Sequence, residues 1–522
     1  MNASSPSSEE SQNLTGRSVR AAAWGMAFHF LRQFSAVLLG VLLVRILSPD
    51  DYGIMAKLTV FWVVGDVFLQ GGFGMVLVQK KDPSPIEWDT VFYYNVFVGF
   101  LGYALMCAAA PWLADFFEQP MLRQIIPIAA WILPIGALGA GQRIILTRNL
   151  KLDVLARCSM FSFLISGGIA IFLAYRSAGV WALVWQQLSG MFFLQVFIFI
   201  HVRWVPRLRF SFAALRDMFR IGSGMLASEL LTSVFDNIYN VVFGKRTTEA
   251  QLGYYNRAYS WTFLLPASIQ GTVANVLFPA FSRLQDDPER LRSAFHRSLV
   301  VLMELTFFPT LMLGVLGYPF IELVLTPRWL PCMEFWWPLT LFFATMPIRS
   351  LNTQVLKARG KSGLVLWLEL FFRGLTVLNI VCLYRAGVMP MVVGATVVTW
   401  IATFIGLLAT QREIGYPTTH QLRNCLPCVA ISTVCSWAAW GASMWIYPAW
   451  SWWGLILPAT LGVTLYVVVT WWFQTESLRI VLNLAEPRLP KFARFWKICR
   501  WPATRRTLES FRCDDRKNSP ME

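Results

Sequence analysis

Long apolar runs alternate with short polar segments along most of the chain. Each run holds about 20 residues or more, which is the length an α-helix needs to cross the hydrocarbon core of a bilayer. The pattern predicts fourteen membrane-spanning helices, which cover roughly residues 21–47, 52–78, 88–113, 120–146, 152–175, 179–202, 217–244, 251–280, 293–317, 332–357, 362–384, 388–410, 421–447 and 451–473. The predicted fold class is therefore an all-α polytopic membrane protein.

Short motifs recur in the same order about 200 residues apart. The turn Tyr175-Arg176 to Gly179-Val180 returns as Tyr384-Arg385 to Gly387-Val388. Further matches are Gly25-Met26 with Gly224-Met225, Tyr52-Gly53 with Gly253-Tyr254, and Leu133-Pro134-Ile135 with Met346-Pro347-Ile348. Six spans thus recur as six spans. Because six is even, both copies enter the bilayer from the same side, as in transporters built from parallel repeats.

The repeat predicts the organisation of the chain. Residues 21–205 form an N-lobe of six helices, and residues 206–413 form a C-lobe of six. Two further helices, within residues 414–475, have no counterpart. Residues 1–20 are a polar cytoplasmic tail, and residues 476–522 are a basic cytoplasmic tail with an amphipathic pattern that suits a membrane surface.

Several helix starts are marked by capping residues. Ser48-Pro49-Asp50-Asp51 and Asp287-Pro288-Glu289 each combine a cap, a first-turn proline and acidic groups. Thr248 and Gln251 have the spacing of a capping box. Prolines interrupt two spans, namely Pro127 and Pro134 in the fourth and Pro338 and Pro347 in the tenth. Membrane helices tolerate prolines where neighbours satisfy the freed carbonyl groups.

Composition agrees with a membrane protein. Of the 522 residues, 56% are hydrophobic and 14% are charged, whereas soluble domains average about 25% charged. The net charge of +16 arises largely from Lys and Arg in every second loop and in the C-terminal tail. This alternation follows the positive-inside rule and places both termini in the cytoplasm. Membrane topology thus explains the basic charge, and a nucleic-acid partner is not expected.

No motif indicates catalysis. The chain lacks H-E-x-x-H, a P-loop and G-x-S-x-G, and no predicted loop is long enough for a soluble catalytic domain. Cys425 and Cys428 have redox spacing but lie in an apolar helix, so packing is the preferred interpretation. We therefore predict no enzyme activity, no cofactor and no metal site.

Charged residues within the predicted spans are the candidate functional residues, because a charge in the bilayer usually faces a cavity or a partner. They are Arg32, Asp66, Arg143, Glu229, Asp236, Glu304, Arg349, Glu369 and Arg373. Arg32 and Asp66 lie at similar depth on neighbouring helices and can pair. Glu369 and Arg373 are four apart in the favourable helical order. Glu229 and Asp236 are seven apart and share one helix face.

Two interpretations of these charges remain open. Arg32, Arg143, Arg349 and Arg373 are candidates for binding an anionic substrate, because a guanidinium binds phosphate through two hydrogen bonds. Alternatively, Arg143 lies at the interface and extends toward water. The acids Asp66, Glu229, Asp236, Glu304 and Glu369 are candidates either for coupling a proton or sodium ion or for structural ion pairs. For Glu229 and Asp236, pairing with Arg32 or Arg349 is slightly favoured.

Several motifs resemble the polysaccharide-transport family of the multidrug/oligosaccharidyl-lipid/polysaccharide exporter superfamily. They are LVRILSPDDYGIMA, QLGYYNRAY, LNTQVLKARGKSG and the paired YRSAGV and YRAGV turns, within residues 15–475. The Wzx-type flippases of the colanic-acid-exporter branch are the most similar. The resemblance implies a bacterial inner-membrane flippase for undecaprenyl-diphosphate-linked oligosaccharide, with a central cavity between lobes. It also implies membrane lipids as neighbours, with a polysaccharide polymerase and a chain-length regulator as further candidate partners.

Two other functions are compatible with a polytopic membrane protein of this kind. A drug or cation antiporter on the same architecture would favour acids over arginines in the cavity, whereas the present set is mixed. A membrane polysaccharide polymerase or glycosyltransferase would need a larger outer loop than residues 318–331 provide. The flippase is therefore the preferred prediction.

Overall fold

The computed structural model describes residues 33–70, 73–80, 82–149, 151–446, 452–473, 475 and 478–480. Every regular element within these ranges is helical. In the first part of the chain the helices are α1 Gln33–Ile46, α2 Pro49–Gln70, α3 Phe73–Gln79, α4 Pro85–Phe116, α5 Leu122–Ala129, α6 Ile132–Arg148, α7 Leu152–Tyr175 and α8 Val180–Val202. The stretch Gln33–Ile46 is the described part of the predicted first span.

The second part of the chain continues the same pattern. Its helices are α9 Phe212–Asp236, α10 Ile238–Arg246, α11 Glu249–Ser282, α12 Pro288–Val315, α13 Gly317–Phe320, α14 Met333–Ala344, α15 Met346–Ala358, α16 Ser362–Leu383, α17 Val388–Ile414, α18 Thr418–Ile446 and α19 Trp453–Trp472. A π-turn at Ile321–Leu325 and a 3₁₀ turn at Pro327–Cys332 join α13 to α14.

Ten spans in the described part of the chain are long and apolar enough to cross a membrane. This confirms the prediction of an all-α polytopic membrane protein. Helix α9 is not among the ten, and its sequence carries Arg216, Asp217, Arg220, Glu229 and Asp236. The number fourteen and the side on which the termini lie stay predictions.

The fourth and tenth predicted spans are each broken into two helices. The fourth is divided between Ala129 and Ile132, and the tenth between Ala344 and Met346. Pro134 and Pro347 lie in the first turn after each break, where a proline lacks no hydrogen bond that the helix would otherwise make. The two halves of the predicted repeat are therefore interrupted at matching prolines.

The recurring turn has the same form in both places. Helices α8 and α17 each begin at the valine of the motif, directly after Gly179 and Gly387. These glycines have φ of +56° and +106°, in the left-handed region that glycine adopts without steric cost. The glycine–valine pair is thus the structural reason why the sequence of this turn recurs.

The predicted caps are present. Ser48 and Asp51 hydrogen-bond each other's backbone N–H groups at 2.9 and 3.2 Å. Thr248 Oγ1 accepts from the N–H of Gln251 at 3.3 Å, and Asp287 Oδ1 accepts from the N–H of Arg290 at 3.0 Å. These hydrogen bonds satisfy N–H groups that have no partner within the first turn of a helix.

The chain folds into two compact units. Among the described residues, unit 1 comprises those within 1–262, 317–339 and 373–396, and unit 2 comprises those within 263–316, 340–372 and 397–522. In unit 1, α7 packs on α8 and α6 packs on α4, where Gly99 allows close approach to Ala137. In unit 2, α12 packs on α18 and α18 on α19. The N-lobe and C-lobe boundaries drawn from the repeat stay a prediction.

Candidate functional site

The first turns of α2 and α11 cross in close contact within unit 1. A Cβ atom on Gly53 would overlap the carbonyl group of Glu249, and a Cβ atom on Gly253 would overlap the carbonyl group of Pro49. Each glycine thus touches the backbone four positions before the other glycine. Only glycine permits this approach, because the obstructing atoms are backbone and cannot rotate away. The first turns of α2 and α11 are therefore in direct backbone contact at Gly53 and Gly253, and we call this contact the closure.

An ion pair joins the same two helices next to this crossing. Lys57 Nζ donates to Glu249 Oε1 at 2.7 Å, and the lysine side chain is only 1% exposed. The same ammonium group is 3.4 Å from the carbonyl oxygen of Phe117. Nearby, Lys245 donates to the exposed Glu118 at 2.6 Å, which lowers the pKa of that carboxyl group. A buried lysine of this kind depends on its carboxylate partner, since an unpaired buried charge is costly.

The segment after α12 fastens the same end of unit 1. Trp329 is fully buried, and its indole N–H donates to the carbonyl oxygen of Val44 at 3.0 Å. The guanidinium of Arg45 in turn donates to the carbonyl oxygens of Leu323 and Val324. Thr326, between these contacts, has φ of +106°, a conformation that is strained for a β-branched residue. The segment therefore docks on α1 at a cost in backbone strain.

An arginine of α11 joins the closure. The Arg257 guanidinium carbon lies 4.0 Å from the ring centroid of Tyr52, in cation–π geometry. The buried Nε of Arg257 has no hydrogen-bond partner among the described residues. The ring of Tyr52 also packs edge-on to Trp329, at 5.5 Å between centroids. A cationic side chain is thus placed within the contact between the two repeated helices.

A second charged cluster lies inside the helices of the N-terminal half. Asp66 on α2 lies close enough to Arg143 on α6 for their opposite charges to attract each other. Arg143 Nη2 is 4.0 Å from the sulfur of Met191, which also receives Gln195 Nε2 at 3.4 Å. The buried Nε of Arg143 and Oε1 of Gln195 have no hydrogen-bond partner within the described residues. Arg143 therefore lies among α2, α6 and α8, and its Nε–H group can donate a further hydrogen bond.

The predicted acids of α9 lie on an exposed helix face. Arg373 Nη1 of α16 donates to Asp236 Oδ1 at 2.8 Å, and the arginine side chain is 12% exposed. Farther along α16, Asn379 Nδ2 donates to the hydroxyl of Tyr239 in α10 at 2.9 Å. Glu229, two helical turns earlier on the same face of α9, is also exposed. Asp236 thus has a partner in Arg373 that the sequence did not indicate, and the predicted Glu369–Arg373 pair stays a prediction.

Arg349 and Glu369 line one small cavity in unit 2. The cavity measures about 40 Å³ and lies among α15, α16 and α17. The Arg349 guanidinium carbon is 4.2 Å from the ring centroid of Phe372. Asn352, also in the wall, accepts from Thr410 at 3.0 Å through Oδ1, while its Nδ2 has no partner among the described residues. The volume suits one or two water molecules.

The remaining predicted residues are placed less tightly. Glu304 of α12 is partly buried and lies near the side chains of Cys428 and Tyr466 in unit 2. Arg32 lies outside the described residues, so its predicted pairing with Asp66 stays a prediction. No cluster of potential metal ligands occurs in the part of the chain that the structure describes.

Three charged residues of the closure were missed by the sequence analysis. Lys57 lies inside a predicted span and should have been included as an intramembrane charge. Arg257 lies within QLGYYNRAY, a motif used only for the resemblance. Glu249 precedes its predicted span by two residues, so no intramembrane search would have found it. The sequence signal for all three was a position four residues from one of the repeated glycines, Gly53 and Gly253.

These observations define the class of the protein. It is a polytopic α-helical membrane protein that carries buried charges, and the first turns of α2 and α11 are in direct contact. Residues 42–334, more than half of the chain, match the family described as polysaccharide biosynthesis protein. The chain belongs to this family, as the resemblance implied.

Curated relatives have modest identity to the chain. The teichuronic acid biosynthesis protein TuaB of Bacillus subtilis is 25% identical over 58% of the chain and 64% of its own length. The lipopolysaccharide biosynthesis protein WzxC of Escherichia coli is 23% identical over 55% and 59%. The succinoglycan biosynthesis transport protein ExoT of Rhizobium meliloti is 26% identical over 62% and 66%. The chain thus spans about three fifths to two thirds of these relatives.

Solved structures share the fold. The lipid II flippase MurJ in an inward closed conformation has a TM-score of 0.70 and 13% identity, covering 86% of this chain and 98% of that one. An inward-facing multidrug resistance MATE transporter of the MOP superfamily has a TM-score of 0.57 and 16% identity, covering 74% and 94%. At this identity the likeness concerns the fold alone.

Proposed function

We propose that the protein moves an oligosaccharide linked to a polyprenyl diphosphate from the cytoplasmic to the periplasmic leaflet of the bacterial inner membrane. In this proposal the N-lobe and C-lobe open alternately to the two sides. The observation that carries it is the closure at one end of α2 and α11, which begin matching spans of the repeat. A carrier of two repeated lobes needs such a closure, and it must be able to open.

The chemistry of the arginines supports an anionic substrate. Arg143 has an unpartnered buried Nε within the described residues, and Arg349 lines a small cavity. A diphosphate suits such groups, because guanidinium forms paired, charge-assisted hydrogen bonds to phosphate oxygens. Arg257 joins them as a third candidate because it lies in the closure itself. Arg32 and Arg373 remain candidates from the sequence.

The membrane potential supplies part of the driving force in this proposal. Moving one negative charge outward across 100 mV contributes about 2.3 kcal/mol. A proton or sodium ion would then reset the empty carrier, with Asp66, Glu229, Asp236, Glu304 and Glu369 as candidate carriers. Asp236 is the weakest of these, because its carboxylate already receives the Arg373 guanidinium at 2.8 Å.

The finer topology belongs to the same proposal. It comprises fourteen spans, cytoplasmic termini and an outer location for the start of α2 and α11. The alternation of basic loops supports this orientation. Relatives named for teichuronic acid, lipopolysaccharide and succinoglycan biosynthesis support a role in surface polysaccharide assembly. A polymerase and a chain-length regulator would act on the delivered units.

The test is mass spectrometry of lipid-linked oligosaccharides in a strain that lacks the protein. We expect complete repeat units to accumulate on the polyprenyl diphosphate, with loss of surface polysaccharide, and expect complementation to reverse both. Accessibility of the accumulated sugars to a membrane-impermeant oxidant then distinguishes failed translocation from failed polymerisation. Unchanged intermediates with intact surface polysaccharide, in a strain without a second exporter, would refute the proposal and direct attention to dye efflux.

A further inference from the structure

A polar pocket lies at the start of α12, away from the buried charges described above. Glu289, Arg292, Ser293 and His296 line it, and Tyr416 from the turn between α17 and α18 completes the wall. The four α12 residues follow the spacing of one helix face. The pocket is open to its surroundings and measures about 420 Å³. Its size and polar lining are those of a small-molecule or headgroup site.

Tyr416 is held rigidly at the back of this pocket. Its side chain is 8% exposed, and its ring packs edge-on to Phe295 at 5.9 Å between centroids. Asn424 Nδ2 donates to its hydroxyl at 2.6 Å, and the hydroxyl lies 2.8 Å from His296 Nδ1. Gln421 Nε2 donates to its carbonyl oxygen at 2.8 Å. The wall is thus preorganised rather than a loose surface loop.

His296 belongs to the same network. Its Nδ1 lies 2.8 Å from the hydroxyl of Tyr416 and 3.1 Å from Nδ2 of Asn424. The imidazole therefore links α12 to the turn and first helical turns of α18.

Arg292 is oriented by the backbone beside it. Its Nε and Nη2 both donate to the carbonyl oxygen of Ile414 at 3.2 Å. Gly415, with φ of +65°, leaves the guanidinium room, since a Cβ atom there would lie 2.7 Å from Nη2. No carboxylate among the described residues forms an ion pair with Arg292. The guanidinium retains charge and N–H groups for an anion, and phosphate is the group that this fork fits best.

The last member of the lining has the opposite charge. Glu289 is exposed and lies one turn before Arg292 and Ser293 on the same face. A purely anionic ligand would be repelled by this carboxylate. A ligand with a phosphate group followed by an ammonium group would instead match both ends of the pocket.

The position of the pocket indicates where such a ligand comes from. Helix α12 has 28 residues, or about 42 Å at 1.5 Å per residue, whereas the hydrocarbon core is about 30 Å thick. About eight residues exceed this thickness, and the charged Glu289, Arg290 and Arg292 place the excess at the start of the helix rather than at its apolar end. The first eight residues run from Pro288 to Phe295 and hold most of the pocket lining. The pocket is placed where lipid headgroups lie.

We propose that this pocket binds the phosphoethanolamine headgroup of a membrane phospholipid. Arg292 and Ser293 bind the phosphate, and Glu289 binds the ammonium. The proposal requires that α12 spans the membrane but does not require the proposed transport function. A lipid fixed here would join the start of α12 to the turn before α18.

The test is native mass spectrometry of the full chain released from nanodiscs that contain equal amounts of phosphatidylethanolamine, phosphatidylglycerol and phosphatidylcholine with the same acyl chains. We expect phosphatidylethanolamine to be retained preferentially. Arg292→Gln should reduce its retention about tenfold, as loss of a charge-assisted hydrogen bond to phosphate would. Arg290→Gln is the matched control, because it removes the same charge from a residue that pairs with Asp287 outside the pocket.

Glu289→Gln provides a readout that a structural role would not produce. This exposed substitution should leave the melting temperature unchanged and should abolish the preference for phosphatidylethanolamine over phosphatidylglycerol. Equal retention of the three lipids by the unchanged protein would overturn the proposal, as would equal loss in the Arg292 and Arg290 variants. Competition by millimolar soluble phosphoethanolamine as strong as that by the lipid would overturn the assignment to a lipid source.

Discussion

Gly53 and Gly253 occupy matching positions in the two halves of the repeat, and each packs against the backbone of the other's helix. Gly53 meets Glu249 and Gly253 meets Pro49, which in both cases is the residue four positions before the opposite glycine. The contact therefore has an approximate twofold axis, as a self-complementary interface does. The two copies of the repeat therefore contact each other through the same surface, which is the glycine-containing first turn of each helix.

A methyl group at this crossing should open it. We expect Gly53→Ala to separate the first turns of α2 and α11, because the added Cβ atom overlaps a backbone carbonyl group. The measurement is labelling of Cys332, which is fully buried in unit 1, by a membrane-impermeant maleimide in a variant that keeps only this cysteine. Labelling should rise in Gly53→Ala.

Gly224→Ala is the control for this substitution. A Cβ atom on Gly224 meets nothing within 4 Å, so the change should leave labelling of Cys332 as it was. In a helix interior it should also stabilise the fold by about 0.5–1 kcal/mol through helix propensity alone. Equal labelling of Cys332 in both alanine variants would contradict the role of the crossing.

The Lys57–Glu249 pair should respond asymmetrically to neutralisation. Lys57 is 1% exposed and Glu249 is 26% exposed, so removing the acid leaves the more deeply buried charge without its partner. We expect Glu249→Gln to destabilise the protein by about 3–5 kcal/mol, and Lys57→Met to cost less. The double variant should recover part of the loss. Thermal unfolding in detergent measures these differences, and equal, additive losses would argue against a coupled pair.

Much of the fold followed from local features of the sequence. Apolar length predicted the spans, and the glycine–valine pairs at 179–180 and 387–388 gave the helix starts directly, because a left-handed residue ends one helix before the next begins. The caps at Ser48, Thr248 and Asp287 were local in the same sense. Such signals depend on residues within one turn of each other.

The charged contacts could not be predicted in this way. Lys57 and Glu249 are 192 positions apart, and Arg373 and Asp236 are 137 apart. Their meeting depends on how helices rotate about their axes when they pack, which apolar length does not specify. The sequence offered Glu369 as a partner for Arg373, since that spacing is allowed on one helix. In the structure Arg373 contacts Asp236, which lies on a different helix, and no local spacing in the sequence indicated this contact.

Strain at Thr326 should make the closure easier to release. Its φ of +106° and ψ of 156° lie in a region that glycine alone adopts readily, and such residues cost about 1–3 kcal/mol. We expect Thr326→Gly to stabilise the closed form, raise the melting temperature and slow export. Ser177→Gly relieves a positive φ in the turn before α8 and serves as the control. It should raise stability without slowing export, and slower export in both variants would refute a specific effect of Thr326.

Arg349 should be required for export because its guanidinium group is one of the proposed contacts for the diphosphate. Arg349→Gln removes the charge and the stacking on Phe372, and we expect export to fall about tenfold or more, as loss of one charge-assisted hydrogen bond to phosphate implies. Arg349→Lys keeps the charge but loses the planar fork, so it should restore only part of the activity. Accumulated lipid-linked repeat units, normalised to the amount of protein in the membrane, measure both.

Arg412→Gln, at the exposed end of α17, is the control for charge. Normal export in both Arg349→Gln and Arg32→Gln would remove the argument that these arginines hold the diphosphate, and Arg143 and Arg257 would then be the groups to test.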